Sequence, residues 1–103
     1  MTFQLTVLYG QPDDPAAFDA YYEQTHVPLV AKVPGLTSFT ASKPAAGRGE
    51  APEVYFIAEL RFADKAAFGS AMSSDEGKAI GADVTNFASG GATTYAGEVT
   101  AYV

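Results

Sequence analysis

The chain is short, acidic and free of cysteine: 103 residues with 12 Asp and Glu, six Lys and Arg, and a net charge of −6. Its length predicts one domain over residues 1–103, and the scattered basic residues exclude nucleic acid and anionic membrane surfaces as expected partners. With no cysteine and one histidine, no spacing suggests a metal site, and we expect no cofactor. No basic leader and no run of 18 apolar residues is present, so we expect a cytoplasmic protein.

Residues 2–9 alternate between two faces, the pattern of a β-strand. One face is wholly apolar or aromatic and the other is mixed. The first consists of Phe3, Leu5, Val7 and Tyr9, and the second of Gln4, Thr6 and Leu8. We expect this first strand to turn through residues 10–13 into a helix.

The first helix has a clear beginning and an interrupted end. Asp14 is suited to the N-cap and Pro15 to the first helical position, where a missing N–H costs nothing. Pro28 cannot donate to the carbonyl of Gln24, and it disfavours helical geometry at Val27. The sequence therefore predicts one helix to about residue 33, kinked near Pro28.

The only histidine, His26, falls on the apolar side of this helix. The stripe at i, i+3 and i+4 spacing comprises Phe18, Tyr21, Tyr22, Thr25, His26, Leu29, Val30 and Val33. Two readings are open: a core histidine that packs or is held by hydrogen bonds, or a general acid or base in a pocket beneath the helix. Because burial disfavours the charged form, we expect the ring to be neutral at pH 7 and Tyr22 to lie near it.

Two strands are expected in the middle of the chain. The Pro34-Gly35 turn, where a positive φ at Gly35 is plausible, leads into a strand over residues 36–41. Loop-forming residues fill positions 43–52, and a third strand covers about residues 53–62. One face of the third strand is apolar and the other mixed. The apolar face is Val54, Phe56, Ala58, Leu60 and Phe62, and the mixed face is Tyr55, Ile57, Glu59 and Arg61.

The mixed face raises the question of what covers it. Together with Leu8, the apolar residues Tyr55 and Ile57 would face water in a monomer. A patch of this kind marks an interface, which a second copy of the sheet would supply, whereas scattered surface apolar residues are the alternative. Glu59 and Arg61 are most simply an interfacial ion pair.

The second half of the chain again predicts helices, followed by a last strand. Asp64 caps a helix that carries Met72, a capping box at Ser73 and Glu76 restarts the helix, and it continues to about Phe87. Residues 90–91 break it, and 93–102 form the last strand. The order β-α-β-β-α-β predicts a ferredoxin-like α+β fold, a four-stranded antiparallel sheet with its helices on one face.

Residues 21–36 carry the pattern Y-Y-x-x-x-H-x-P-L-x-x-K-x-P-G-L, which resembles the signature of the EthD family. A second segment, residues 59–87, is also similar, with Asp83 four positions before Phe87. The family belongs to the dimeric α+β barrel superfamily. The resemblance therefore implies a homodimer in which two sheets close into an α+β barrel.

The resemblance also implies a range of functions. Members are associated with breakdown of ether-type compounds such as ethyl tert-butyl ether, with aromatic catabolism and with polyketide tailoring. Related barrels include cofactor-free monooxygenases, lactone isomerases and dehydratases. One hypothesis is a cofactor-independent enzyme of these types that transfers a proton on a small apolar carbonyl or phenolic compound, with His26 as general acid or base. The alternative is a non-catalytic ligand-binding or accessory protein that uses the same pocket.

Seven residues form the predicted site. The catalytic candidates are His26, Tyr22 and Asp83, and the ligand-binding candidates are Tyr21, Leu29, Phe56 and Phe87. Asp83 occupies the place of the family's acid, where it would orient His26 or bind a ligand; a helix-face carboxylate in a salt bridge or cap is the competing reading. Tyr22 would share the face of His26, or would merely pack with its hydroxyl satisfied.

Overall fold

The computed structural model describes residues 1–45 and 52–103, so residues 46–51 of the predicted loop lie outside the described part. The order of elements is β-α-β-β-α-β, as predicted. The elements are β1 Phe3–Gly10, α1 Pro15–Tyr21, a π-helical turn Tyr22–His26, α2 Val27–Val30, β2 Leu36–Ser42, β3 Val54–Phe62, α3 Lys65–Ser73, α4 Asp75–Asp83, a 3₁₀ turn Val84–Asn86 and β4 Ala92–Glu98.

The four strands form one antiparallel sheet in the order β2-β3-β1-β4. In the centre, β1 pairs with β3 from Phe3 opposite Phe62 to Tyr9 opposite Phe56. Residues directly opposite each other share a face, so the alternation in β1 assigns a face to each neighbouring strand. The apolar face of β1 and β3 packs under the helices, which gives the ferredoxin-like arrangement.

The core lies between this face and the helical layer. Its largest fully buried side chains are Tyr9, Val30 and Phe62. Burying an aliphatic or aromatic side chain of this kind contributes about 1.5–3 kcal/mol. The remaining buried apolar residues of the cluster are Val7, Phe18, Tyr22, Val33, Ala58, Leu60, Ala71, Ile80 and Phe87.

Pro28 is accommodated by a π-helical turn, and the predicted departure of Val27 from helical geometry is wrong. The N–H of Val27 bonds to the carbonyl of Tyr22, five residues back, and Val27 has φ −56° and ψ −46°. Regular bonding resumes when the N–H of Ala31 meets the carbonyl of Val27 at 3.0 Å. Because the turn is wider, Pro28, which has no backbone N–H, lies where the bonding changes from π-helical to α-helical. The helix therefore continues past Pro28 and ends at Val30.

The same turn changes the predicted stripe at one position. Thr25 is exposed, whereas Tyr22, His26 and Val30 are buried. A π turn holds more residues per turn than an α-helix, so the residue before His26 rotates away from the sheet. His26 keeps the inward orientation that the spacing predicts.

A β-bulge at Tyr55 exchanges the faces of two neighbouring residues. Gly10 pairs with Val54, and Tyr55 is left out of the register. Tyr55 turns to the helical side, where its hydroxyl donates to Asp19 at 2.8 Å and its ring meets Phe18 edge-on at 5.2 Å. The predicted places of Val54 on the apolar face and Tyr55 on the mixed face are therefore wrong, because one extra residue reverses the alternation.

The N-caps of helices α3 and α4 are partly as predicted. Asp64 accepts from the N–H of Ala67 at 2.8 Å and starts α3. The N-cap of α4 is Ser74, whose hydroxyl accepts from the N–H of Gly77 at 3.1 Å, so the predicted cap at Ser73 is wrong. Ser73 is still helical and belongs to the end of α3.

The sheet face opposite the helices is open, and β4 is exposed along all seven of its residues. Tyr95 of this strand is 62% exposed. Within the chain, Arg61 lies opposite Gln4 and donates to its amide oxygen at 2.9 Å. The interfacial ion pair of Glu59 and Arg61 stays a prediction. Within residues 1–45 and 52–103, no helix combines the length and the apolarity needed to cross a bilayer.

Candidate active site

Asp83 is a buried carboxylate that accepts three hydrogen bonds. It ends α4 and receives Nδ1 of His26 at 2.9 Å, the hydroxyl of Tyr21 at 2.6 Å and the amide of Asn86 at 3.0 Å. Burial alone would raise the pKa of the Asp83 carboxyl, but these hydrogen bonds outweigh burial and hold the pKa below its usual value. Asp83 is therefore ionised at neutral pH.

The charge on Asp83 fixes the orientation of His26. An ionised carboxylate can only accept, so Nδ1 of His26 carries a hydrogen, an assignment made from the hydrogen-bond partners. When the ring is neutral, Nε2 is then left with its lone pair. His26 is only 3% exposed, yet it lines a cavity, so Nε2 is the nitrogen available to a molecule in that cavity. A carboxylate behind an imidazole in this way also stabilises the imidazolium that forms on proton transfer.

The cavity has a volume of about 420 Å³ and lies between the sheet and the helices. Its walls are mainly aliphatic, with an aromatic ring and a thioether. They comprise Leu5, Val7, Val30, Ala58, Leu60, Phe68, Met72, Gly77, Ile80, Gly81, Val84 and Ala92. The polar side chains are Tyr9, Tyr22, His26 and Thr94, and among the residues that the structure describes, no Asp, Glu, Lys or Arg lines the cavity. Such a site suits a neutral, largely apolar molecule with a few polar groups to orient it.

Aromatic rings hold His26 in place on two sides. The ring centroid of His26 lies 5.1 Å from that of Tyr22 and 4.7 Å from that of Phe87. Tyr22 in turn packs on Phe56 at 4.6 Å. Tyr22 and His26 are the first and last residues of the π-helical turn, so the turn that accommodates Pro28 also sets their spacing.

The tyrosine hydroxyls at the cavity are strong candidates for donors. Burial raises the pKa of Tyr9 to about 12, despite a lowering contribution from the neighbouring Tyr22 hydroxyl. Burial also raises the pKa of Tyr22 well above its usual value of 10.0, and the Tyr9 hydroxyl adds to the effect. Both phenols therefore keep their protons at neutral pH and can donate to an oxygen atom in the cavity.

The three predicted catalytic residues lie together. Tyr22 and His26 line the cavity, and Asp83 sits behind His26, 57 positions away in the chain. The competing reading of Asp83 as a salt-bridge carboxylate describes a real contact, but the partner is the histidine itself. Tyr21, predicted to bind ligand, lies outside the cavity lining and holds Asp83.

The other predicted ligand-binding residues do not line this cavity. Phe87 packs against His26 and is itself buried. Phe56 lies on the far side of Tyr22, where it lines a second hollow of about 500 Å³. Leu29 is half-buried against the core and lines neither space.

Tyr9 is the most informative residue that the sequence interpretation did not include in the site. It lies on the apolar face of β1 that the alternation predicted, but nothing in the sequence distinguished it from Phe3, Leu5 or Val7 as a cavity residue. Ile80 of α4 and Val84 of the 3₁₀ turn, four positions apart in the chain, were also missed. A cavity depends on where packing leaves a gap, which spacing alone does not reveal.

Together, the fold and site define a ferredoxin-like α+β protein with a His–Asp pair at the wall of an apolar cavity. Residues 11–91 match the EthD domain. The chain belongs to the EthD family. A Rhodococcus erythropolis relative, an uncharacterized 11.0 kDa protein of the thcB-thcC intergenic region, is 46% identical over 91 residues, or 88% of each chain.

Solved structures agree with the family and the fold. An ethyl tert-butyl ether d (EthD) family protein from Bacillus halodurans is 36% identical, with a TM-score of 0.90 over 97% of this chain and 100% of that one. A dimeric ferredoxin-like protein from Jannaschia has a TM-score of 0.72 at 18% identity, over 96% and 100%. SnoaB, a cofactor-independent oxygenase from Streptomyces nogalater, has a TM-score of 0.62 at 17% identity, over 99% and 93%.

Proposed function

We propose that this protein is a cofactor-independent enzyme that transfers a proton on a small neutral carbonyl or phenolic compound, with His26 as general acid or base. The observation that carries the proposal is the buried contact of 2.9 Å between Nδ1 of His26 and Asp83, which leaves Nε2 for the cavity. The pair is buried beside a largely apolar space, a setting in which the charges that develop on proton transfer are less screened than in water.

The proposed step begins with transfer of a proton from the ligand to Nε2. The ligand supplies it from a carbon next to a carbonyl or from a phenol, and the electron pair stays on the ligand as an enolate or phenolate. Asp83 stabilises the imidazolium, and the hydroxyl of Tyr22 donates to the ligand's oxygen. General acid–base catalysis of this kind contributes about 10² to 10⁴ in rate.

The fate of the proton decides the reaction type. Its return to another carbon of the same molecule is an isomerisation, and its use to expel a neighbouring hydroxyl as water is a dehydration. Reaction of the enolate with molecular oxygen would be an oxygenation, with oxygen as co-reactant. SnoaB, described as a cofactor-independent oxygenase, supports the last possibility by likeness of fold. The name of the Bacillus halodurans relative supports a role in ether catabolism.

The experiment is hydrogen–deuterium exchange on a neutral ketone. 2-Tetralone, which has acidic protons beside its carbonyl, is incubated in D₂O with wild-type protein and with His26→Gln, and exchange is followed by NMR. We expect wild type to accelerate exchange and His26→Gln to lose about 10²- to 10⁴-fold of that acceleration. Equal exchange by the two folded proteins would remove His26 from the chemistry. Ligand binding that weakens in His26→Gln, with no exchange in wild type, would favour the binding-protein hypothesis.

We also infer that the protein is a homodimer that packs through its open sheet faces into an α+β barrel. The exposed length of β4, and the exposed ring of Tyr95, leave one side of the sheet uncovered in a single chain. The Jannaschia protein described as dimeric shares this fold. A second copy of the same sheet is the partner whose shape matches the open face.

A further inference from the structure

Tyr9 carries a buried hydroxyl for which the proton-transfer scheme has no use. The residue is 1% exposed and lines the cavity together with Tyr22. Their ring centroids are 5.9 Å apart, and the two rings meet edge-on. Within residues 1–45 and 52–103, every side-chain oxygen or nitrogen of a buried residue either has a hydrogen-bond partner or is exposed to open space. Both tyrosines border the cavity, so a ligand in that space would contact them.

The number of protons on these hydroxyls decides what they can do. Two phenols have two hydroxyl protons, and a hydrogen bond between them uses only one. At least one proton is therefore left to donate into the cavity. His26 lies beside Tyr22, with 5.1 Å between ring centroids, so the donor and the base border the same space.

We propose that the hydroxyls of Tyr9 and Tyr22 form a binding site for a ligand oxygen, so that Tyr9 is a specificity-determining residue for neutral molecules with a carbonyl. The inference rests on the proposed function for the location of the site, but it does not depend on proton transfer by His26. A neutral hydroxyl donor favours a carbonyl acceptor, which an alkene of the same shape does not offer.

The volume of the cavity narrows the ligand class further. An apolar cavity of about 150 Å³ holds benzene. The cavity in this protein has about 420 Å³, enough for a two-ring compound. Of the described residues, no Asp, Glu, Lys or Arg lines it, so a carboxylate or ammonium group would enter without a partner at a high cost in free energy. We therefore assign to the site an uncharged two-ring ketone or related carbonyl compound.

The test compares two probes that differ only at the acceptor. 2-Acetylnaphthalene carries a carbonyl oxygen, and 2-isopropenylnaphthalene has a CH₂ group in its place. The dissociation constants of both are measured by titration calorimetry for wild type, Tyr9→Phe and Tyr9→Phe/Tyr22→Phe. The ratio of the two constants cancels differences in packing. We expect Tyr9→Phe to shift the ratio toward the alkene, and the double variant to shift it roughly two- to tenfold, the range of one neutral hydrogen bond.

Tyr95→Phe is the matched control, because it also removes a tyrosine hydroxyl, but from a residue that is 62% exposed and lies outside the cavity lining. Its ratio should equal that of wild type. Circular dichroism and thermal melting establish that each variant is folded. An unchanged ratio in folded Tyr9→Phe, an equal shift in Tyr95→Phe, or binding of neither probe by wild type would overturn the assignment. Because the ratio is measured without turnover, its result is independent of the exchange assay on 2-tetralone.

Discussion

Replacing Asp83 by Asn tests the hydrogen-bonded cluster through both stability and chemistry. The carboxylate accepts from Tyr21, His26 and Asn86, and an amide offers one oxygen and an NH₂ group in the same space. In the variant, the amide oxygen accepts from Tyr21 and Asn86, and the NH₂ group faces Nδ1 of His26. Loss of these charge-assisted bonds leaves buried groups poorly paired, and we expect a loss of roughly 1–3 kcal/mol in the free energy of unfolding at pH 7.

The dependence of this loss on pH follows from the sign of the pKa shift. The pKa of Asp83 is lower in the folded protein than its ordinary value of 3.8. Its stabilisation is therefore fully present above the unfolded pKa and disappears as the pH falls through the lower folded value. Urea unfolding of wild type and Asp83→Asn should give a difference that is present at pH 7 and shrinks below about pH 4.

Asp19→Asn is the control for that experiment. Asp19 pairs with Lys43 at 2.6 Å, with side chains 39% and 49% exposed, so its replacement should cost much less at pH 7. A loss in Asp83→Asn that is no larger than in Asp19→Asn, or that stays the same at pH 3 and pH 7, would refute the cluster's role. On the chemistry, an NH₂ group facing Nδ1 favours the hydrogen on Nε2, which removes the proposed base. Exchange on 2-tetralone should then fall by about 10²-fold or more.

Gly35 has φ +76° and open space around its missing Cβ, so Gly35→Ala should cost about 1–2 kcal/mol through backbone strain alone. Gly69→Ala, in the middle of α3 and also without a steric clash, should instead stabilise by about 0.5–1 kcal/mol; equal effects of the two in urea unfolding would contradict this. Light scattering at micromolar concentration should give about twice the 10.7 kDa chain mass, and a monomer there would exclude the barrel.

Signals that act over a few residues were readable from the sequence. The caps at Asp14 and Asp64 are confirmed, because an N-cap bond joins residues three apart. The alternation in β1 assigned its two faces correctly. His26 was predicted to face inward because it lies four positions from Tyr22 and four from Val30 on the helix. All three residues are buried.

Features that depend on distant parts of the chain were not readable. The bulge at Tyr55 exists only in relation to Gly10 and Tyr9 on the neighbouring strand, so β3 alone could not reveal it. The π-helical turn is one of several ways to accommodate a proline, and packing on the sheet selects among them. The proximity of Asp83 to His26 was implied by the family resemblance alone, because the two residues are 57 positions apart.

The most direct test of the account is the nitrogen NMR spectrum of His26, which is free of overlap because the chain has a single histidine. At a pH where the ring is neutral, long-range ¹⁵N–¹H correlation shows which nitrogen carries the hydrogen. We expect a hydrogen on Nδ1, held by Asp83, and an Nε2 without a hydrogen, whose resonance shifts when 2-tetralone is added. A hydrogen on Nε2, or an Nε2 resonance that does not shift at saturating 2-tetralone, would contradict this expectation.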